Sequence, residues 1–190
     1  MRDFKRLSIE TWPDFERLFL QDSGVHASCY CMYHKMTMAE YIQSNRDERR
    51  ARQLELVRHN QADGLLMYEA NEPIAWCQFD RAERFFAFDR MRDYLKLAIP
   101  IELRPAWRIT CLFVAKRHRG EGLSAEILGE AVSRLTQSGP CVIEAFVADT
   151  PEGNKIKYTG SVRMFERLGF QNIAPIGKHL RLMRRTTTIE

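Results

Sequence analysis

The sequence predicts one α/β (α+β) domain, and three observations carry that reading. Strand-like and helix-like stretches alternate along the 190 residues, no linker, repeat or low-complexity tract divides them, and a pair of glycines sits where a strand gives way to a helix. The length is that of one ordinary domain. Residues 1–190 are therefore read as a single unit.

Residues 5–10 alternate like a short strand, and Thr11, Trp12, Pro13 and Asp14 open a helix whose Phe15, Leu18 and Phe19 share one face. Thr37 and Glu40 have capping-box spacing, which starts a second helical region running through the charged stretch 46–59. Residues 64–70 and 74–81 are strand-like and flank Asn71, Glu72 and Pro73, so they form an antiparallel hairpin. Met91, Tyr94, Leu95 and Ala98 recur at helical spacing before Pro100. The strand at 107–114 alternates, with Trp107, Ile109, Cys111 and Phe113 assigned to one face and Thr110, Leu112 and Val114 to the other. Leu123, Ile127, Leu128, Ala131, Val132 and Leu135 make a helical stripe that ends near Gly139 and Pro140. The run at 141–148 is almost wholly apolar, as in a strand covered on both faces. A short helix through Val162, Phe165 and Leu168 stops at Gly169, and strands around 170–173 and 178–185 close the chain.

Composition narrows the function. A formal net charge of +4 neither marks a nucleic-acid binder nor excludes an anionic ligand. No run approaches the ~20 apolar residues of a membrane span, and the first ten residues lack a signal-peptide core, so the expected location is cytoplasmic with no membrane partner. The five cysteines are odd in number and fit no disulfide framework, which suits a reducing compartment.

The chemistry concentrates in VAKRHRGEGLSAEI, residues 114–127. Gly120 and Gly122 let backbone N–H groups turn toward one point, and the helix beginning there leaves its first N–H groups without partners. Arg117, His118 and Arg119 add positive charge at the rim. Such a junction binds an anion, and phosphate is the expected one. GEGLSA also satisfies the GxGxxA dinucleotide fingerprint, with Glu144 at about the ribose-binding distance, which raises an NAD-binding oxidoreductase as an alternative. Against it, five residues separate Val114 from Gly120, and Glu144 falls inside a strand.

The string from Arg117 to Gly122 matches [Q/R]xxGx[G/A], and MFERLGF at 164–170 carries an aromatic-rich helix ending in a GF pair. With the order of elements, these motifs resemble the GCN5-related N-acetyltransferase (GNAT) family over most of the chain, if residues 91–98 are an insertion. The CxC segment at Cys29 and Cys31 is similar to that of an uncharacterised bacterial branch, where it lies between the first two helices. The resemblance implies a mixed, mostly antiparallel sheet splayed between the strands at 107–114 and 141–148, with helices on both faces. It implies acetyl-CoA as acyl donor and direct transfer of the acetyl group to a primary amine, on a small molecule or a peptide, and leaves open a homodimer. By that mapping Leu112, Phe113 and Val114 hold the pantetheine arm. Arg117, His118, Arg119, Gly120, Glu121, Gly122, Leu123 and Ser124 hold the pyrophosphate, and the thioester lies near Cys111 and Leu112, where a backbone N–H polarises its carbonyl.

The acid and base are less defined. Glu144, in an apolar strand, and Glu83 or Asp80, after the hairpin, are the candidate bases. The proton donor of many GNAT relatives is a tyrosine four residues before the GF glycine, and Phe165 stands there, so Tyr158 is the candidate acid and a catalytically silent CoA-binding module remains the alternative. Cys29 and Cys31 with His26 and His34 invite a metal, but a lone CxC without a second pair does not make a zinc site, and no metal is expected. Acidic residues interrupt the basic helix at 46–58, so no nucleic-acid partner is expected.

Overall fold

The computed structural model describes residues 2–21, 28–137, 139–149 and 158–187. In chain order it comprises β1 (Arg2–Arg6), α1 (Trp12–Gln21), α2 (Met38–Gln43), α3 (Arg46–Arg58), β2 (Gly64–Glu69) and β3 (Glu72–Arg81). There follow the short helices α4 (Phe86–Asp89) and α5 (Arg92–Leu95), β4 (Trp107–Val114), α6 (Leu123–Gln137), β5 (Val142–Ala148), α7 (Val162–Glu166), β6 (Gln171–Ile176) and β7 (Leu180–Thr186). The strands form one seven-stranded sheet in the order β1-β2-β3-β4-β5-β7-β6. Every pair is antiparallel except β4–β5. The expected mixed sheet is therefore present, with helices on both faces.

Two apolar layers flank the sheet. On one face Ile109, Leu112, Ile143 and Ala145 pack against the Leu123, Ile127, Leu128, Ala131 and Val132 stripe of α6 and against Phe165 of α7. On the other, Leu66, Trp76 and Phe113 pack against Phe15, Leu18 and Phe19 of α1 and Val57 of α3. A smaller cluster of Phe85, Phe88, Tyr94 and Phe146 lies under residues 86–99.

Several elements depart from the sequence pattern for local reasons. β1 ends at Arg6 rather than continuing to residue 10, because Ser8 and Thr11 close a turn: the Ser8 N–H donates to Thr11 Oγ1 (2.9 Å), and that hydroxyl donates to the Arg6 carbonyl (2.9 Å). The helical region after Thr37 is two helices. Thr37 and Glu40 do form a capping box, but α2 stops at Gln43, and Asn45 caps α3 afresh by accepting from the Asp47 and Glu48 N–H groups. Residues 91–98 hold one helical turn, α5, rather than a sustained helix.

The largest departure is in β4. Cys111 pairs with Gln78 and Ile109 with Phe79, so Thr110 is an extra residue, a β-bulge. Because side chains alternate with period two, one inserted residue exchanges the faces beyond it. Leu112 and Val114 consequently join Trp107 and Ile109 on the α6 face, whereas Cys111 and Phe113 turn to the α1 face.

Gly64, at the start of β2, has φ +155°, and a Cβ there would lie 2.1 Å from Trp76 Cη2 and 2.7 Å from the Cys77 carbonyl oxygen. Gly64→Ala should lower stability by about 1–3 kcal/mol or more through overpacking. The check is a urea melt: the midpoint should fall, and an unchanged midpoint would contradict this packing.

Candidate active site

β4 and β5 pair only through Trp107–Ile143, Arg108–Glu144 and Ile109–Ala145. Beyond Ile109 and its bulge the strands separate, while β5 stays paired with β7 as far as Ala148. A wedge-shaped gap thus opens within the sheet, bordered by Leu112, Phe113 and Val114 on one side. Residues 158–160 reach into it: the Leu112 N–H donates to the Tyr158 carbonyl at 2.5 Å, and a Cβ on Gly160 would meet Leu112 Cδ1 at 3.0 Å and Phe165 Cε2 at 3.2 Å. The Leu112 amide, a natural donor to a thioester carbonyl, is therefore engaged within the chain.

The glycine junction follows at the open end of the gap. A 3₁₀ turn over Lys116–His118 leads through Arg119 to Gly120 (φ +91°) and Gly122 (φ +79°), both left-handed, and α6 begins at Leu123. The Ala125 and Glu126 amides return to the Gly122 carbonyl, but those of residues 120–124 find no backbone partner among the described residues. A Cβ at either glycine would meet nothing within 4 Å, so glycine serves backbone conformation here and leaves open space before the amides. Converging N–H groups at a 15-residue helix N-terminus suit a polyanion such as pyrophosphate.

The basic residues at the rim are partly neutralised. Arg117 pairs with Glu72 and donates to His118 Nε2 at 3.1 Å. His118 Nδ1 lies 3.5 Å from Glu121, and Arg119 Nε donates to the Val114 carbonyl at 3.1 Å. The backbone amides, rather than these side chains, are the unspent part of the junction.

On the α1 face of the wedge lies a cavity of about 150 Å³, lined among others by Phe19, Cys29, Cys31, Cys111, Phe113 and Tyr158. The Tyr158 ring stacks on Phe113 with centroids 6.1 Å apart and planes 11° apart, which puts the candidate acid on the wall of this cavity. The cavity floor is made of satisfied polar groups: Thr110 Oγ1 donates to Gln78 Oε1 (2.7 Å), and Gln78 Nε2 donates to the Cys31 carbonyl (2.9 Å). Cys31 Sγ accepts from the Trp76 indole at 3.2 Å, and burial, followed by its neighbour Cys111, pushes the Cys31 thiol well up, so it stays protonated. Among the described residues no three His, Cys, Asp or Glu side chains are arranged to hold a metal ion, and His26 lies outside the described residues. His34 borders the same cavity, stacked on Phe88 at 4.3 Å, and burial lowers it to about 4, so it is a neutral imidazole. Sequence reading weighed His34 only as a metal ligand; its contact with the wedge depends on the strained turn at Tyr30 (φ +45°) and Cys31 (φ +58°), which has no periodic signal.

The three carboxylates expected as bases sit elsewhere. Glu144 is fully buried and accepts from Arg184 Nη2 (2.7 Å), Tyr94 Oη (2.9 Å) and Arg108 Nε (3.4 Å). Arg108 is held in turn by Asp89 (2.5 Å), and burial followed by the Glu144 charge pushes the Tyr94 phenol up to about 12. Glu144, the expected base, is thus engaged in a buried ion cluster. Asp80 is likewise enclosed, between Lys35 and Arg84 at 2.7 Å each. Glu83 lines a separate cavity of about 420 Å³ beside Tyr94, Arg104 and Arg108, which shares no lining residue with the cavity at Cys111. If Glu144 is structural, Glu144→Ala strands two guanidinium groups and should cost about 3–5 kcal/mol in a chemical melt. Lost activity at unchanged stability would instead restore the catalytic role.

No family model and no curated protein matches this chain. Solved structures do, over nearly the whole length. A putative GNAT-family acetyltransferase from Desulfovibrio desulfuricans superimposes with TM-score 0.58 at 14% identity, covering 98% of this chain and 99% of that one. A putative GNAT-family acetyltransferase from Bordetella pertussis gives 0.56 at 16% identity, covering 96% and 93%. The PaiA N-acetyltransferase from Thermoplasma acidophilum, solved in complex with coenzyme A, gives 0.55 at 11% identity, covering 98% and 99%. Identities this low speak to architecture, and with the splayed β4–β5 pair and the glycine junction they establish that this chain has the fold of the GNAT acetyltransferases.

Proposed function

We propose that the protein is an acetyl-CoA-dependent N-acetyltransferase that passes an acetyl group directly to a primary amine. The observation that carries the reading is the placement of a sheet gap and a bare helix N-terminus at the two ends of one connection: β4 leaves β5 after Ile109 and leads, through the 3₁₀ turn at Lys116–His118, to the open amides of residues 120–124. An extended acyl-thioester arm fits such a gap as an added strand, bonding to backbone groups near Leu112, Phe113 and Val114, and the amides of Gly120, Glu121, Gly122, Leu123 and Ser124 would take its pyrophosphate. That a solved relative of this fold holds coenzyme A supports the choice of donor.

In this reading the chain's work is positioning. The donor must displace the Tyr158 carbonyl from the Leu112 N–H, which then becomes free to polarise the thioester oxygen. The Tyr158 ring, on the cavity wall beside Cys111, is placed to protonate the departing thiolate. Phe165, buried against Phe170 with centroids 5.1 Å apart, has no phenol to give. A thiolate leaves tolerably at neutral pH because a thiol has a pKa of about 8.5.

Gly122→Asp places a side chain and a negative charge where the anion would sit, at a left-handed φ that disfavours it. Calorimetry should show acetyl-CoA binding lost while the chain still melts cooperatively, less stable by about the 1–2 kcal/mol that a left-handed non-glycine residue costs. In the unsubstituted protein, ligand at ~100 times its dissociation constant should add about 2.7 kcal/mol of stability. Unchanged acetyl-CoA affinity in the variant would refute the assignment, and binding without turnover of any amine would leave a silent CoA-binding module.

A further inference from the structure

Two cavities meet at Tyr33 and His34. The inner one, about 150 Å³, reaches Thr110 and Cys111 where β4 leaves β5; the outer one, about 360 Å³, opens between α4 and the residues preceding α2. Many of their lining residues are aromatic or sulfur-bearing, among them Phe113, Tyr158 and Cys111 inside and Met36, Phe88 and Met91 outside. Among the described lining residues neither cavity has an Asp or Glu, and the one permanently charged side chain is Arg90, a cation. Among the described residues Asp80 is closed off by Lys35 and Arg84, and Glu144 by Arg108, Arg184 and Tyr94.

This chemistry selects against a cationic amine. An alkylammonium entering the inner cavity would give up hydration with no carboxylate among the described lining residues to pair with and an arginine at the entrance, and aromatic faces return only part of that loss. At neutral pH an alkylamine with a pKa near that of lysine is uncharged in only about one molecule in 10³. An amino group attached to an aromatic ring is already uncharged, and a cavity of about 150 Å³ is the size that accepts one benzene ring. Neither ring nitrogen of His34 has a hydrogen-bond partner among the described residues, and its face is fixed on Phe88.

We propose that the acceptor is an aromatic primary amine, held against Tyr33, Phe113 and Tyr158 with its nitrogen toward the β4 bulge, and that His34 receives its proton. This rests on the acetyl-transfer reading above and specifies its acceptor. The nitrogen lone pair forms the new N–C bond at the thioester carbonyl, the C–S bond breaks with its electron pair leaving on the CoA sulfur, and the proton shed by nitrogen passes to the neutral imidazole, which, because burial disfavours its charged form, hands it on at once to water. The other titratable or charged groups lining these two cavities are Cys29, Cys31, Cys111, Tyr33, Tyr158 and Arg90.

The test begins with calorimetric binding of acetyl-CoA to the full chain; absence of binding would remove the acetyl-transfer reading itself. With binding in hand, CoA release is followed with 4-methoxyaniline, 2-phenylethylamine and spermidine at neutral pH. The expected order is 4-methoxyaniline first, by about ten-fold or more in kcat/KM, as its neutral fraction requires. His34→Gln should keep the acetyl-CoA affinity and lower kcat for 4-methoxyaniline by about 10²-fold, the lower range of positioned proton transfer. Faster turnover of either alkylamine, no turnover of 4-methoxyaniline by protein that binds acetyl-CoA, or an undiminished kcat in His34→Gln would each overturn the proposal.

Discussion

The structure depends on one constraint: β4 must leave its parallel partner halfway along while β5 stays paired with β7. Three residue pairs hold the two strands together, and at Thr110 the bulge adds a residue that ends the match. A sheet cannot leave a central edge of backbone donors and acceptors bare without loss. The protein meets part of that demand with the Tyr158 carbonyl on the Leu112 N–H. The same bulge swings Cys111 and Phe113 to the α1 face and keeps Leu112 and Val114 on the α6 face, so one inserted residue forms both the gap and the cavity beside it.

The closed end of the strand pair is built differently. There the buried Arg108 and Glu144 join β4 and β5 to Arg184 of β7 and to Asp89 and Tyr94 of the helices of residues 86–95 through ion pairs and hydrogen bonds. Desolvating these groups is costly, and their value lies in register: a slip of one residue in any strand would leave a guanidinium or a carboxylate unpaired. A clamp that tolerates no slippage at one end lets the other end stand apart without the sheet unzipping. Glu144 therefore sits at the end of the strand pair where β4 and β5 are held together.

Most of the fold was legible in the sequence because it rests on periodicity and punctuation. The α6 stripe, the 64–81 hairpin, the Thr37 capping box and the glycine junction each leave a local mark. The departures arose where one residue changes the count or where tertiary partners decide. The bulge at Thr110 has no signal within the strand, and Asn45 starts a new helix in a stretch whose polar composition reads as continuous. Glu144 looks reactive in an apolar run because its partners Arg108, Arg184 and Tyr94 are 36, 40 and 50 residues away. Of the candidate site, the glycine junction was visible in Gly120 and Gly122; the cavity beside it was visible only in part, since His34 and Cys111 meet through the turn at residues 30–31 and the bulge.

The central claim is that one continuous edge, from the gap in the sheet to the N-terminus of α6, receives the acyl donor. Backbone amide hydrogen exchange, read residue by residue with and without coenzyme A, tests it directly. Slowed exchange at residues 120–124, together with a changed rate at Leu112 as Tyr158 gives way, is the predicted result. Unaltered exchange along this edge, with protection appearing elsewhere in the chain, would contradict it.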